Sequence, residues 1–342
     1  MSSFRKWALL GIIGLVFGCG TSSAATFQTG DVFASITPSN VGEVAWYHAD
    51  GSPATPMPLS TDPTNMLHGT TTGSSTHDAG GNLYVTDFNG NAVFKFDTSG
   101  TLVGTFGTGY NADPESIVFD AAGNAFVGQA GGTHNLLEFD SSGMLIHTFS
   151  PAIQRQGTDW IDLASDQHTI FYTSEGSSVK RFDTAMGGSQ LGDFASLGAT
   201  DSLFALRLLS DGGLLVADVT NADTATPTSK VVRLKSDGSV AQTYTIAGAN
   251  FLFSLNLDPD GTSFWTGDSQ NGNLYKVDIA TGTVEETIPT GELNGRLNGV
   301  SVFGEIQAST VPEPSQLAVT FALCGILLAC RRWRKSQASE NN

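Results

Sequence analysis

The sequence has little cysteine. All three cysteines, Cys19, Cys324 and Cys330, lie near the two ends of the 342-residue chain. The long central part, from Thr26 to Thr310, has none. This excludes a disulfide framework and thiolate chemistry there. The stability of the central part must therefore come from burial of apolar side chains.

Basic residues are also scarce. Ten of the 16 Lys and Arg lie between residues 26 and 310, together with 31 of the 33 Asp and Glu, which gives this part a net charge of −21. Such a field repels nucleic acid and anionic lipid. We therefore exclude nucleic acid as a partner.

Long hydrophobic runs occur only at the ends. Two basic residues precede the apolar run 8–17, and small residues follow it up to Ala25. This layout predicts a secretory signal peptide over residues 1–25, and so an exported protein. The alternative is that Cys19, which follows a glycine, is the lipidated cysteine of a lipoprotein.

A repeat organises the central part. The segment GNLYVTDFNGNAVFKFDTSGTLVGTF (81–106) returns as GNAFVGQAGGTHNLLEFDSSGMLIHTF (123–149), and three further units follow the same order. Phe33 begins one earlier unit, which makes six. Four short strands in each unit of about 40–50 residues are typical of propeller blades. The equivalent anchor residues are Phe33, Tyr84, Phe126, Phe171, Leu215 and Phe264.

The ends of the repeat predict how the ring closes. The first unit lacks a leading strand, and the segment 298–305 is left over after the sixth. If these two pair, no sheet edge stays open. The sequence thus predicts an all-β protein with a six-bladed β-propeller over residues 26–305. The polar segment 73–80 makes a poor leading strand for the second blade, and we expect 52–75 to be mostly loop.

The innermost strands of a propeller converge at a channel mouth, where ligands bind. Three aromatic residues there, beside one carboxylate and one amide, would suit a sugar or a peptide. The alternative is that the aromatic rings pack between blades. Counting back from the anchors gives Gly73, Glu115, Trp160, Phe204, Phe253 and Asn298 as the residues at this mouth. The long turn 219–229 lies on the same face, as a binding loop or as a tolerated insertion.

The unit LYVTDFNGNAVFKFDTSG (83–100) resembles an NHL repeat, and the six-fold count is similar to that of gluconolactonase/regucalcin-like enzymes. In that group a divalent metal in the channel, held by Glu, Asn and Asp, activates water. The resemblance implies Glu115, Asn298 and Asp159 as ligands, with calcium as the candidate cation. Blades four to six carry Trp and Phe at the matching positions, so only two ligands are in register and no cofactor is firmly indicated.

The chain ends with an unusual segment. An apolar run of 14 residues, 317–330, would span about 21 Å as a helix and predicts a single short transmembrane helix. We interpret 306–316 as a stalk and 331–342 as a basic cytoplasmic tail. This order resembles the PEP-CTERM sorting signal of Gram-negative bacteria, carried here by Pro312, Glu313, Pro314, Arg331 and Arg332.

That resemblance implies an exosortase as processing partner. It also implies transient anchoring in the inner membrane, followed by release to the outer surface or the extracellular space. No nucleophile elbow and no phosphate loop occur in the sequence. The leading hypothesis is an exported, non-enzymatic binding or scaffold protein of the cell surface or matrix, with a polysaccharide or surface protein as ligand. The alternative is a metal-dependent lactonase or esterase.

Overall fold

The computed structural model describes residues 26–55, 59–60 and 72–305. Among them, six antiparallel sheets form a six-bladed β-propeller, as the sequence predicts. Blade one contains β1 (Val32–Ile36), β2 (Glu43–Tyr47), β3 (Leu59–Ser60) and β25 (Leu297–Val302). Blade two contains β4 (Thr72–His77), β5 (Leu83–Asp87), β6 (Ala92–Phe96) and β7 (Leu102–Thr105). Blade three contains β8 (Pro114–Phe119), β9 (Ala125–Gln129), β10 (Leu136–Phe139) and β11 (Leu145–Phe149).

The remaining blades follow the same plan. Blade four contains β12 (Ile161–Leu163), β13 (Thr169–Tyr172), β14 (Ser178–Asp183), β15 (Ser189–Gln190) and β16 (Ala195–Ser196). Blade five contains β17 (Asp201–Leu208), β18 (Leu214–Thr220), β19 (Thr228–Leu234) and β20 (Val240–Tyr244). Blade six contains β21 (Leu252–Leu257), β22 (Ser263–Asp268), β23 (Asn273–Asp278) and β24 (Val284–Pro289). Two short 3-10 turns are Pro38–Asn40 and Ala185–Gly187.

The ring closes by pairing its last strand with its first. β25 is the innermost strand of blade one and pairs antiparallel with β1, with Val302 opposite Val32 and Val300 opposite Ala34. This confirms the predicted closure. Blade one thus combines the first strands of the ring with its last strand, so unfolding of blade one would open the ring.

Alternation of side chains along the strands builds the core. Six apolar clusters lie between neighbouring blades, one at each of the six junctions including that between blades six and one. Successive residues of a strand point to opposite faces of its sheet. On β1, therefore, Phe33 packs towards blade two, while Val32 and Ala34 pack towards blade six.

The polar second blade departs from one expectation. β3 and the first part of β4 fall inside 52–75, which the sequence predicts to be mostly loop. β4 is a buried strand in spite of its serines, because polar groups of the neighbouring strands β25 and β5 form hydrogen bonds with it. Ser75 Oγ lies 2.8 Å from Ser301 Oγ of β25, and Thr86 Oγ1 donates to the Ser74 carbonyl at 3.1 Å.

The predictions for the two ends lie outside the described residues. These are the signal peptide 1–25, the stalk 306–316 with its PEP motif, the apolar span 317–330 and the tail 331–342. Within the part of the chain that the structure describes, no helix is both long enough and apolar enough to cross a membrane.

Candidate functional site

A β-bulge lies at the start of every innermost strand. In blade four, Asp159 N donates to the Thr173 carbonyl at 3.2 Å and Thr173 N donates to the Trp160 carbonyl at 3.0 Å, so two residues face one. The other five inner strands shift register at the corresponding place. The residues within or beside these bulges are Gly73, Glu115, Trp160, Phe204, Phe253 and Asn298, the six that the repeat spacing selects.

A bulge inserts an extra residue that the ladder does not pair, and it re-aims the side chain at that position. Six such bulges therefore make one ring around the channel axis. Asp159, which the repeat spacing places one residue out of register, joins this ring because it shares the blade-four bulge with Trp160. We call this ring, with Asp159, the channel mouth.

The aromatic residues meet across the channel. The rings of Trp160 in blade four and Phe253 in blade six lie 5.3 Å apart, centroid to centroid, although blade five separates their blades. Phe204 of blade five lies 5.0 Å from Phe253. Trp160 and Phe204 are buried, whereas Phe253 is half-buried. Trp160 and Phe204 thus belong to the apolar cluster between blades five and six, and Phe253 packs against this cluster with part of its surface exposed.

A fourth aromatic residue was missed by the sequence reasoning. Phe251 lies 5.3 Å from Phe204 and 6.2 Å from Phe253, and it is also half-buried. It precedes β21 by one residue and packs against the same apolar cluster as Phe253. The alternation Phe-Leu-Phe at 251–253 was the signal that could have identified it.

Two carboxyl groups of the mouth belong to blades three and four. Glu115 and Asp159 are 4% and 2% exposed. Burial raises the pKa of Glu115 well above its ordinary value, and the charges of Asp159, Glu175 and Asp113 raise it further. Burial and the charge of Glu175 raise the pKa of Asp159 in the same way. Burial therefore opposes ionisation of both carboxyl groups, and a cation bound beside them would favour their charged forms.

Two buried polar atoms at this place have no partner among the described residues, Asp159 Oδ2 and Trp160 Nε1. The two other tryptophans of the described chain do have one. Trp46 Nε1 donates to Asp31 at 2.8 Å, and Trp265 Nε1 donates to Asp258 at 2.9 Å. A buried donor or acceptor without a partner costs about 1–3 kcal/mol. Such atoms mark a place where a ligand can supply the missing bonds.

Asn298 does not join this carboxylate pair. It belongs to blade one, which lies opposite blade four in the ring, and its Nδ2 donates to Thr37 Oγ1 at 2.8 Å. Of the three predicted metal ligands, Asp159 thus acts electrostatically on Glu115, whereas the Asn298 amide is engaged by Thr37. Among the described residues, no group of three or more His, Cys, Asp and Glu side chains is arranged to hold a metal ion.

An ion pair joins two loops at the rim of the mouth. Both terminal nitrogens of Arg155, in the loop before β12, contact Asp223 at 2.8 and 2.9 Å. Asp223 belongs to the long turn between β18 and β19 of blade five. The two strands run further than the sequence predicts, so the turn spans residues 221–227 instead of 219–229. The Arg155 charge also lowers the pKa of Glu175, against the larger raising effect of burial.

A cavity of about 570 Å³ opens at the other end of the channel, where the inner strands finish. Its lining includes the turns 78–81, 120–121 and 303–305. The rim carboxylates are already engaged, since Asp78 and Asp120 each accept backbone N–H groups of their own turns at 2.7–2.9 Å. His77, which also lines this cavity, has a buried Nε2 without a partner among the described residues, and burial lowers its pKa to about 3.

Comparisons with known proteins bear on the fold. No protein-family model matches the chain, and no curated protein does. Similar solved structures include a hydrazine synthase of Kuenenia stuttgartiensis, with TM-score 0.56, 14% identity and coverage of 84% of this chain and 94% of that chain. A nidogen/laminin complex gives TM-score 0.57, 13% identity and coverage of 82% and 98%. A protein of unknown function from Bacteroides caccae gives 0.59, 14%, 81% and 99%. Identities this low show the β-propeller fold alone.

Proposed function

We propose that this chain is an exported, non-enzymatic binding or scaffold propeller of the cell surface or extracellular matrix, and that its ligand occupies the channel mouth. One observation carries the proposal. Asp159 Oδ2 and Trp160 Nε1 are buried without partners, beside Glu115 and half-buried aromatic rings. A site with a few convergent polar groups on an apolar wall is typical of small-molecule recognition.

A specific observation also keeps the metal-dependent hydrolase as the second candidate. Glu115 and Asp159 lie close enough for their charges to interact, as the carboxylates of a cation site would. Against it, a hard cation such as calcium takes six to eight oxygen ligands. The matching positions of blades four to six, where further oxygen ligands would be needed, are occupied by Trp160, Phe204 and Phe253. We therefore favour a binding protein over a hydrolase.

The ends of the propeller support the proposed sorting. Glu305, the last described residue, lines the cavity at the end of the channel remote from the mouth. Phe27, near the first, bonds through its N–H to the Thr98 carbonyl in the turn between β6 and β7, on that same face. A stalk that continues from Glu305 would hold the mouth away from the membrane. We propose that exosortase processes the PEP-CTERM signal of this tail at the inner membrane of a Gram-negative bacterium.

Thermal melts separate the two candidate functions. The ring closes within residues 26–305, so this fragment and the full-length chain are both melted in calcium, magnesium, manganese, zinc and EDTA, and both are assayed on a lactone and a phenyl ester. A binding propeller gives no metal-dependent shift and no turnover. A cation at 100 times its dissociation constant would add about 2.7 kcal/mol of stability. A shift or turnover that the Glu115→Gln variant abolishes would establish the hydrolase.

Binding itself is tested by electrophoresis of the fragment through gels that contain bacterial polysaccharides. The expected result is retardation by at least one polysaccharide that is lost in a Phe253→Ala variant. Equal mobility in every gel would contradict a polysaccharide ligand.

Sorting is tested with the full-length chain in a Gram-negative host with and without an exosortase. The expected result is a shortened, released form that needs both the exosortase and an intact Glu313. If a Glu313→Ala variant is released in the same shortened form, the proposed signal is wrong.

A further inference from the structure

We propose that the channel mouth recognises an amino sugar with a free ammonium group. The ammonium would lie between Glu115 and Asp159, and the sugar ring would lie on the half-buried faces of Phe251 and Phe253. A sugar hydroxyl would accept a hydrogen bond from Trp160 Nε1. This inference rests on the proposed function and names the class of ligand for the same site.

Charge is the first part of the argument. Glu115 and Asp159 are both buried, and the charges of Asp159, Glu175 and Asp113 act on Glu115. The charge of Arg155 acts on Glu175, but Arg155 itself pairs with the exposed Asp223 at the rim. Buried carboxylates are normally paired or neutralised. A cation that reaches Asp159 Oδ2 would supply the partner that this atom does not have within the described chain.

The aromatic wall decides which kind of cation fits. Trp160, Phe204, Phe251 and Phe253 form one connected cluster with centroid separations of 5.0–6.2 Å. Aromatic rings cannot serve as the oxygen ligands that a hard metal ion requires. They do attract an organic ammonium, and they give the apolar C–H face of a sugar a flat surface to pack on.

Trp160 Nε1 narrows the ligand class further. An indole N–H can only donate, so its partner must be an acceptor, and an ammonium group has no acceptor. The ligand therefore needs an oxygen near its cationic nitrogen. An amino sugar carries both groups on one rigid ring, which lets it contact the carboxylate side and the tryptophan side of the mouth together.

The test is titration of the fragment 26–305, and of the full-length chain, with D-glucosamine near neutral pH, where part of its amine is protonated and the two carboxyl groups, whose pKa burial raises, are less protonated than at acid pH. N-acetylglucosamine and glucose serve as neutral counterparts of the same ring, and calcium chloride serves as the metal arm. Binding is followed by tryptophan fluorescence and by calorimetry. A charge-assisted bond should make glucosamine bind at least about tenfold more tightly than either neutral sugar.

Variants assign the binding to the mouth. Glu115→Gln and Asp159→Asn should each remove the preference for glucosamine, because each removes a charge. Glu285→Gln, the matched change on the outermost strand of blade six, should keep it. Phe253→Ala should weaken glucosamine and glucose by the same factor. A melting curve for each variant shows that it is folded.

Each remaining outcome is decisive. Equal binding of all three sugars, or a preference that survives in Glu115→Gln, overturns the inference. Calcium that displaces glucosamine and stabilises the protein overturns it in favour of a metal site. If no sugar binds but a polysaccharide still retards the fragment through Phe253, the inference fails and the proposed function stands. If neither occurs, both fail.

Discussion

Glu305 links blade one to blades five and six at the end of the propeller opposite the mouth, and its removal should lower the free energy of unfolding. It follows β25 of blade one, yet its carboxylate accepts bonds from blades five and six. Arg207 Nε donates to it at 2.9 Å, the Leu257 N–H at 3.0 Å and Asn256 Nδ2 at 2.9 Å. A Glu305→Ala variant would remove one acceptor that three blades share.

The magnitude follows from burial. Arg207 is 5% exposed, so without Glu305 its guanidinium would be a buried charge with fewer partners. Breaking a buried ion pair by removing one partner costs about 3–5 kcal/mol. The negative charge of Asp162 also acts on Arg207, which favours the lower value, about 3 kcal/mol. At about 2–4 °C per kcal/mol for a domain of this size, the melting temperature should fall by about 6–12 °C.

The assay is differential scanning calorimetry of the fragment 26–305, supported by urea unfolding. Glu285→Gln is the matched control on β24 and should melt close to the wild type, because the amide keeps an acceptor for the Ser263 hydroxyl that Glu285 accepts from at 2.7 Å. A double variant, Arg207→Met with Glu305→Leu, should recover only part of the loss, because the buried guanidinium is removed but Asn256 Nδ2, the Leu257 N–H and Asp162 still lose a partner. A Glu305→Ala protein that melts within about 2 °C of the wild type would refute this reasoning.

Three further predictions follow from single contacts. Burial raises the pKa of Asp162 to about 6, so the wild type should lose up to about 3 kcal/mol of stability in urea unfolding as the pH rises from 4 through 6, and an Asp162→Asn variant that kept this dependence on pH would contradict the assignment. Gly128→Ala would place a Cβ 2.2 Å from the Thr158 carbonyl, beside the blade-four bulge; calorimetry should show a loss of about 1–3 kcal/mol, and unchanged stability would mean that the bulge yields freely. Asp223→Asn should leave the melting temperature nearly unchanged, because its pair with Arg155 is exposed, but should speed cleavage of 221–227 by subtilisin.

The repeat allowed much of the fold to be predicted. Anchors such as Tyr84 and Phe126 recur with the spacing of a four-stranded blade, and the leftover segment after blade six indicated closure. β4 was harder, because its buried serines bond to neighbouring strands that lie far away in sequence. Phe251 and the partners of Arg207 were missed, although an arginine inside the apolar run LFALRLLS requires a buried acceptor and was a signal.

The sequence by itself determined the number of blades, the closure of the ring and the six positions at its mouth, because period-two alternation and the recurring turns are local properties of the chain. Only the tertiary structure decided which of those positions meet. Trp160 contacts Phe253 although blade five lies between their blades. Asp159 shares the blade-four bulge and acts electrostatically on Glu115 of blade three. Asn298 belongs to blade one, opposite blade four in the ring. These relations depend on how six sheets are arranged around one axis, and spacing along the chain does not carry that information.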